Sequence, residues 1–444
     1  MRKTWIEIRV QNYVFFFLIL SFVIRLLVAI NGYEKSIWNN FADDLGREVY
    51  ANTIISKGIF FKLDVIQSPE SIFAPGIPIV LAIMKVVFAN HWFAIFVLNA
   101  CIGTLSCLVI YLISKEFFNK DVSLLVLLWA SFYPSFIRYT ATAGNEPWVV
   151  FLFSLTMLFA LRSIRYSKTY INEIIFALCL TILFHFDERY IVYSLIFSLF
   201  LFYGFGSIIS KIKKILVFVS FTILFSVPWF IRNYIVYNDI VIISCRTNNL
   251  TEPFFHQRKE LIFFDHIKDD AFLSIEQIDS VRNGLLNSFS NGSAISKLQI
   301  EAMKSGNIPH AFTLSEKIRS RIFFLWVPFK TIDNYRITGY EFNPAWSCRH
   351  NLLSGLSYGV LLPFMFLAFY NLIKNRNWEV VLLFGGVLLY HTFIHVAFIP
   401  YTRDRYRHPV DFIVIILGVY GISVVYNWFK ANKIKKKERV VENG

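Results

Sequence analysis

Two adjacent carboxylates, Asp43 and Asp44, lie in the stretch WNNFADDLGREVYANTIISKG, from Trp38 to Gly58, just after the first strongly apolar segment. The stretch continues as a helical pattern with Val49, Ile54 and Ile55 on its apolar side. A carboxylate pair at the lip of a membrane, backed by an interfacial helix, is a candidate general base beside a lipid-borne substrate. The plainer reading is a solvated loop with an acidic helix start, since Asp is favoured near helix N-termini. Arg25 is the one strong charge inside an early apolar run. Intramembrane charges are functional candidates by default, and snorkelling to the interface is the alternative.

The chain that must position these residues has 444 of them, 56% hydrophobic and 18% aromatic, with 48 Phe. Soluble domains run nearer 45–50% apolar, so the excess points to lipid. A net charge of +14 would suggest nucleic acid in a soluble protein. Here the basic residues sit in short loops and tails between apolar runs, which is the pattern of positive-inside topology, and no nucleic-acid partner is expected. The N-terminal MRKTWIEIRVQNY leads into an apolar run long enough to stay as an anchor.

Apolar segments of spanning length fall at residues 14–30, 92–114, 122–139, 148–161, 171–184, 190–209, 215–231, 352–373, 378–398 and 409–428. Residues 75–89, PGIPIVLAIMKVVFA, form a shorter run that opens with prolines and carries Lys85. If it does not cross, the loops SKEFFNKD, RSIRYSK, SKIKK and KNRN and the tail KANKIKKKER all share the side of the basic N-terminus, as the positive-inside rule asks. It is therefore read as interfacial or re-entrant, leaving about ten spanning helices with both termini inside. The outer face then gathers Asp43, Asp44, Glu146, Asp187, Glu188, Arg189, Arg232, Asp239, Arg403, Asp404, Arg405 and Arg407. Inside loops gather Lys while outside loops gather Arg with Asp and Glu, and Arg is the better fork for phosphate oxygens.

The expected organisation is a membrane core over 1–233 with its first outer loop at 32–91, an extracytoplasmic loop region over 234–351, and C-terminal membrane helices with a basic cytoplasmic tail over 352–444. The polar region shows helical patterns at 273–288 and 314–327, the second amphipathic and ending in FFLWVPF. Cys101, Cys107 and Cys179 lie in apolar runs and read as small core residues. Cys245 and Cys348 flank the polar region and could pair if it lies outside. His256 and His266 are possible metal ligands, with solvated histidines the commoner case. His391 and His395, one helical turn apart in an apolar run, read as a hydrogen-bonded core pair before a metal site.

Five stretches carry a resemblance, in order along most of the chain: the acidic first loop followed by SPESIFAPGIPIVLAIMKVVFANHWFAIFVLNACIG, then YPSFIRYTATAGNEPWVVFLF, FDERYIVYS, VPWFIRNYIVYNDIVIISCRTNNL, and RYRHPVDFIVIILGVYGI. Together they resemble the polyprenol-dependent glycosyltransferases of the GT-C superfamily, within the bacterial family related to protein O-mannosyltransferases and aminoarabinose transferases. The resemblance implies an all-α polytopic membrane protein of GT-C type, with about ten transmembrane helices, juxtamembrane helices and one large extracytoplasmic loop region. It implies a multi-pass enzyme of the cell membrane, working on the outer face, whose donor is a sugar on a polyprenyl phosphate. The family's first-loop aspartate maps best to Asp44, with Asp43 as the alternative because Glu48 stands where the family has an aromatic. The second-loop acidic residue maps to Glu146. Relatives in the aminoarabinose branch carry a Glu-Lys pair before the interfacial helix, where this chain has Phe73 and Ala74. A divalent metal therefore stays an open possibility.

In this reading Asp44 is the base, Glu146 orients the acceptor or a metal, and Arg189, Arg232, Arg405 and Arg407 hold the departing lipid phosphate. Direct attack by the acceptor would invert the anomeric centre. The acceptor class covers an envelope glycan, a lipid or a protein. Two other functions compete. An O-antigen polymerase or ligase has many spans and one large outer loop, but needs neither an acidic first loop nor a PWFIRNY-like turn. A lipid-linked sugar transporter would show broken helices or pseudo-symmetric halves.

Overall fold

The computed structural model describes residues 2–34, 42–61, 73–166, 169–203, 207–237, 240–244, 314–328, 351–398 and 404–442. Cys245, Cys348, His256, His266 and the helical pattern at 273–288 lie outside the described residues. Those described form helices and turns, with no strand among them. In chain order the helices are α1 (Arg2–Glu34), α2 (Ala42–Lys57), α3 (Gly76–Val87), α4 (His91–Phe117), α5 (Lys120–Phe132), α6 (Pro134–Arg138) and α7 (Glu146–Arg165). They continue as α8 (Ile171–Phe186), α9 (Tyr193–Tyr203), α10 (Ile208–Tyr237) and α11 (Leu314–Trp326). The last three are α12 (Asn351–Lys374), α13 (Trp378–Ala397) and α14 (Asp411–Glu442).

The chain is a multi-pass membrane protein, but the described residues hold fewer spans than the expected ten. Among the described residues seven helices are long and apolar enough to cross, and the bent pair Lys120–Phe132 and Pro134–Ala141 would make eight. The apolar run at 171–184 becomes α8, of 16 residues, which rises only about 24 Å at 1.5 Å per residue. The run at 190–209 opens within a 3₁₀ turn, Glu188–Val192, and the helix that follows, α9, has 11 residues. Apolar run length overstated helix length where a turn interrupts the run. α3 has 12 residues, about 18 Å and too short for a hydrocarbon core of about 30 Å. Its Lys85 is held by Glu48 of α2 at 2.6 Å, so α2 and α3 form one hairpin of short helices.

The core is built by α4 against α1, α5 and α7, by α7 against α8, and by α12 against α14. The last pair comes close because Gly421 faces the backbone of Phe364, where any Cβ would collide. Arg25 does not snorkel, and it meets no carboxylate among the described residues. It is fully buried, and its Nη1 donates to the Ser131 carbonyl at 3.1 Å while Nη2 reaches that of Ala130 at 3.5 Å. These are the last carbonyls of α5, freed where Pro134 stops the helix. A cation at a helix C-terminus satisfies them and opposes the negative end of the dipole.

The contacts sort the charged groups to two ends of the bundle, separated by the 20 residues of α7, about 30 Å. At one end Arg165 bonds Glu379 at 2.8 Å and Glu116 at 3.4 Å, and Lys214 meets buried Glu173 at 3.6 Å. This is the basic end, carrying the tail. Arg162 and Arg165 work there beside the lysines, so the separation of Arg from Lys is incomplete. At the other end lie α2, α3, Glu146, Asp187, Arg189, Arg407 and Asp411.

Candidate functional site

Asp43 and Asp44 fall in the first turn of α2, where the helix dipole favours negative charge. Their side chains lie outside the described residues. Helical spacing puts Glu48 one turn beyond Asp44 on the same face. Glu48 accepts from Lys85 and from His91 Nε2 at 3.3 Å, and Lys85 also donates to Asn52 at 2.7 Å. The start of α2 is thereby fixed on α3 and on the start of α4.

Between Asp44 and Glu48 sits Arg47, which the sequence did not single out. Its Nη1 donates to the carbonyl of Ala143 at 3.2 Å, and its guanidinium lies over the Phe73 ring at 5.5 Å. Ala143 belongs to the turn that delivers Glu146. One side chain therefore ties the acidic turn of α2 to the second acidic loop.

Glu146 opens α7, followed by Pro147, an arrangement suited to a helix start. It is half-buried. Its carboxylate folds back over Gly144 so closely that a Cβ there would strike it. No hydrogen bond or ion pair engages it among the described residues. The turn is set by buried Asn99 of α4, whose Nδ2 donates to the carbonyls of Thr140 at 3.2 Å and Thr142 at 2.7 Å, while its Oδ1 accepts from Trp148 Nε1 at 3.0 Å. Trp148 stacks on Phe186, which packs against the start of α3 at Gly76.

The preceding residue, Asn145, reaches the third loop. Its Nδ2 donates to Asp187 Oδ2 at 3.3 Å and to the Phe186 carbonyl at 3.2 Å. Asp187 in turn holds Arg189 on both edges, by Nε at 2.7 Å and by Nη2, and Arg189 lies over Tyr406 at 4.7 Å. Burial disfavours the Arg189 charge, but the Asp187 carboxylate outweighs it and raises the pKa. The Tyr406 carbonyl accepts from His391 Nε2 at 2.8 Å. A carbonyl only accepts, so that nitrogen carries the proton, and Nδ1 takes the Tyr193 hydroxyl at 2.6 Å. His395 Nδ1 bonds the His391 carbonyl at 2.9 Å. His391 and His395 are thus a hydrogen-bonded core pair that fixes the loop around Tyr406.

The remaining arginines stand apart from this chain of contacts. Arg232 is buried among Phe61, Trp229 and Tyr237. Its Nε donates to the Ile59 carbonyl at 2.9 Å, Nη1 to Asn233 at 2.9 Å, and Nη2 has no hydrogen-bond partner among the described residues. Ile59 follows the far end of α2, and Lys57 is already about 20 Å along the helix from Asp44. Trp229 and Asn233 fold the segment after α10 back by bonding the Ile243 carbonyl at 3.2 and 3.1 Å, which accounts for the PWFIRNY pattern. Arg407 pairs with Asp411 at 2.8 Å, lies 3.5 Å over the Tyr358 ring, and donates to the carbonyls of Leu325 and Val327 at 3.3 and 2.8 Å, closing the end of α11. Asp411 is also bonded by Tyr133 at 2.9 Å. Arg405 lies in the short helix Asp404–Arg407, with its side chain outside the described residues.

No three His, Cys, Asp or Glu side chains converge on one point among the described residues. Glu48 and His91 are a pair of possible ligands, but the Lys85 ammonium shares their carboxylate oxygen.

The fold and this loop cluster define the class: an all-α polytopic membrane protein. Residues 73–231 match the family model described as dolichyl-phosphate-mannose-protein mannosyltransferase, a little over a third of the chain. Among solved structures it resembles the Archaeoglobus fulgidus oligosaccharyltransferase. The apo form matches at TM-score 0.52 and 12% identity over 95% of this chain and 52% of that one. The same archaeal enzyme, AglB, in complex with an inhibitory peptide and a dolichol-phosphate matches at TM-score 0.56 and 12% identity over 96% and 52%. The chain thus spans about half the length of the solved structures it matches. No curated protein matches it.

Proposed function

We propose that the chain is a membrane glycosyltransferase. It moves a hexosyl or pentosyl group from a polyprenyl-phosphate donor to an envelope glycan, lipid or protein acceptor. The reaction inverts the sugar and takes place at the extracytoplasmic face of the cell membrane. The observation that carries the reading is the Arg47 bond to Ala143, which brings the acidic turn of α2 against the loop of Glu146. The match of residues 73–231 to a mannosyltransferase family and the dolichol-phosphate bound by the structural relative support a lipid-linked donor.

Asp44 is the proposed base, with Asp43 as the alternative. It takes the proton of the acceptor hydroxyl as oxygen attacks the anomeric carbon and the bond to the lipid phosphate breaks. Glu146 has no cationic partner among the described residues and orients the acceptor, or one side of a divalent metal. Arg189, Arg232, Arg405 and Arg407 form the proposed phosphate clamp. Arg189 is linked to the Glu146 loop through Asn145 and Asp187, and Arg405 precedes in sequence Tyr406, whose ring Arg189 covers. The phosphate load falls first on these two, while Arg232 and Arg407 act from further out.

Asp44→Asn keeps size and hydrogen bonding but cannot accept the proton. Transfer in a donor-saturated assay should fall by about 10² to 10⁴ with normal expression. Asp43→Asn should be milder, since Asn serves as well as Asp in starting a helix. Full activity of Asp44→Asn would end the transferase mechanism in favour of a polymerase, a ligase or a transporter.

A further inference from the structure

The basic end of the bundle holds a cavity of about 610 Å³, remote from the carboxylate loops. It lies between the α4–α5 turn, the end of α7, the α12–α13 turn and α14. Its hydrogen-bonding wall is largely amide: Asn119, Asn371, Asn377 and Asn427, with Ser423. Its two carboxylates face two guanidinium groups. Glu379 is held by Arg165 Nε and Nη2 at 2.8 and 3.1 Å, and Glu116 by Arg165 Nη1 at 3.4 Å, Arg162 Nε at 3.9 Å and the Tyr166 hydroxyl at 3.2 Å.

The rim has the opposite character. Lys374, Arg376 and Lys430 are exposed and lie within two residues in sequence of the lining residues Leu372, Asn377 and Trp428, and none meets a carboxylate among the described residues. Asp121 is the exposed acid nearest in sequence, next to Lys120. Arg376 sits at φ 58, in the turn where Asn377 N–H returns to the Leu372 carbonyl at 2.9 Å. Glycine normally fills that left-handed position at a helix C-terminus, yet here it carries a guanidinium. Tyr426, Trp428 and Phe429 are exposed on α14, the aromatic band expected at a membrane interface.

We infer that this cavity is a binding site for an anionic phospholipid with a hydroxylated headgroup, its phosphate on the Lys374–Arg376–Lys430 rim and its hydroxyls on the amide wall. Basic pockets between helix ends are the setting in which such headgroups are recognised. The neutral, amide-lined interior suits hydroxyls rather than a second charge. The site is independent of the transfer reaction, so neither reading falls with the other.

The test is native mass spectrometry of the full chain from nanodiscs with equal phosphatidylglycerol and phosphatidylcholine. Phosphatidylglycerol should be retained preferentially. Lys374→Gln and Arg376→Gly should each lower that preference by about fivefold, and the glycine relieves the turn rather than unfolding it. Asn377→Ala should narrow the preference for phosphatidylglycerol over phosphatidic acid, which has the phosphate without the hydroxyls. Lys213→Gln removes an exposed charge at the same end, outside the cavity, and should change nothing. Equal retention of both lipids, or an equal loss in Lys213→Gln, would overturn the site. Inorganic phosphate displacing the lipid at millimolar concentration would reassign the rim to soluble anions and also overturn it.

Discussion

The two ends of the bundle handle their carboxylates in opposite ways. At the basic end Glu116, Glu173 and Glu379 each face a cation, and buried Glu173 also takes the Ser163 hydroxyl at 2.6 Å. These are clamps that hold helix ends together, and the charge of each carboxylate is offset by its cation. At the other end Glu146 is half-buried and engaged by no cation among the described residues, on a turn pinned through its neighbours Ala143 and Asn145. The backbone is fixed and the carboxylate is left available. Preorganised scaffolding around an unoccupied acid is what acid–base chemistry needs, whereas saturated pairs are what folding needs.

The sharpest way to break this contrast is to neutralise one acid from each end. Glu146→Gln should lower transfer by roughly 10²-fold with little change in thermal stability. Glu379→Gln should leave transfer near wild type. Similar losses in both would make Glu146 another clamp. Next comes the clamp itself. Lys214→Met strands buried Glu173 and should destabilise the fold by about 3 kcal/mol, read as a lowered unfolding midpoint with the specific activity of the folded fraction unchanged. The smallest effect concerns Arg232, which stands between the two behaviours, part tie and part open donor. Arg232→Lys keeps the charge and loses the fork, so the donor KM should rise by about tenfold. An unchanged KM would leave Arg232 as a tie for Ile59 alone.

The features legible in the sequence were those written in local pattern. Residues 75–89, short and proline-led, gave α3, and the amphipathic pattern at 314–327 gave α11 almost to the residue. Asp43 and Asp44 stood out as an acidic helix start, and Glu146 through the family-like loop around it. The partners were not visible. Arg47 reaches Ala143 across 96 positions, and Arg25 finds Ser131 across 106. No periodicity encodes either pairing. The run at 122–139 reads as one apolar segment, yet Pro134 ends α5 within it, and nothing local said that a distant arginine would close the break. The span count failed for a related reason: the apolar run at 190–209 hides a turn, and hydropathy does not distinguish a buried turn from a buried helix.

The central claim is that the acidic turn of α2 and the Glu146 loop form one site, and a double-mutant cycle in transfer rate tests it most directly. Residues that act as a unit are strongly non-additive. Asp44→Asn with Glu146→Gln should therefore be little slower than the worse single variant. Losses that multiply would mean two independent roles and would contradict the account.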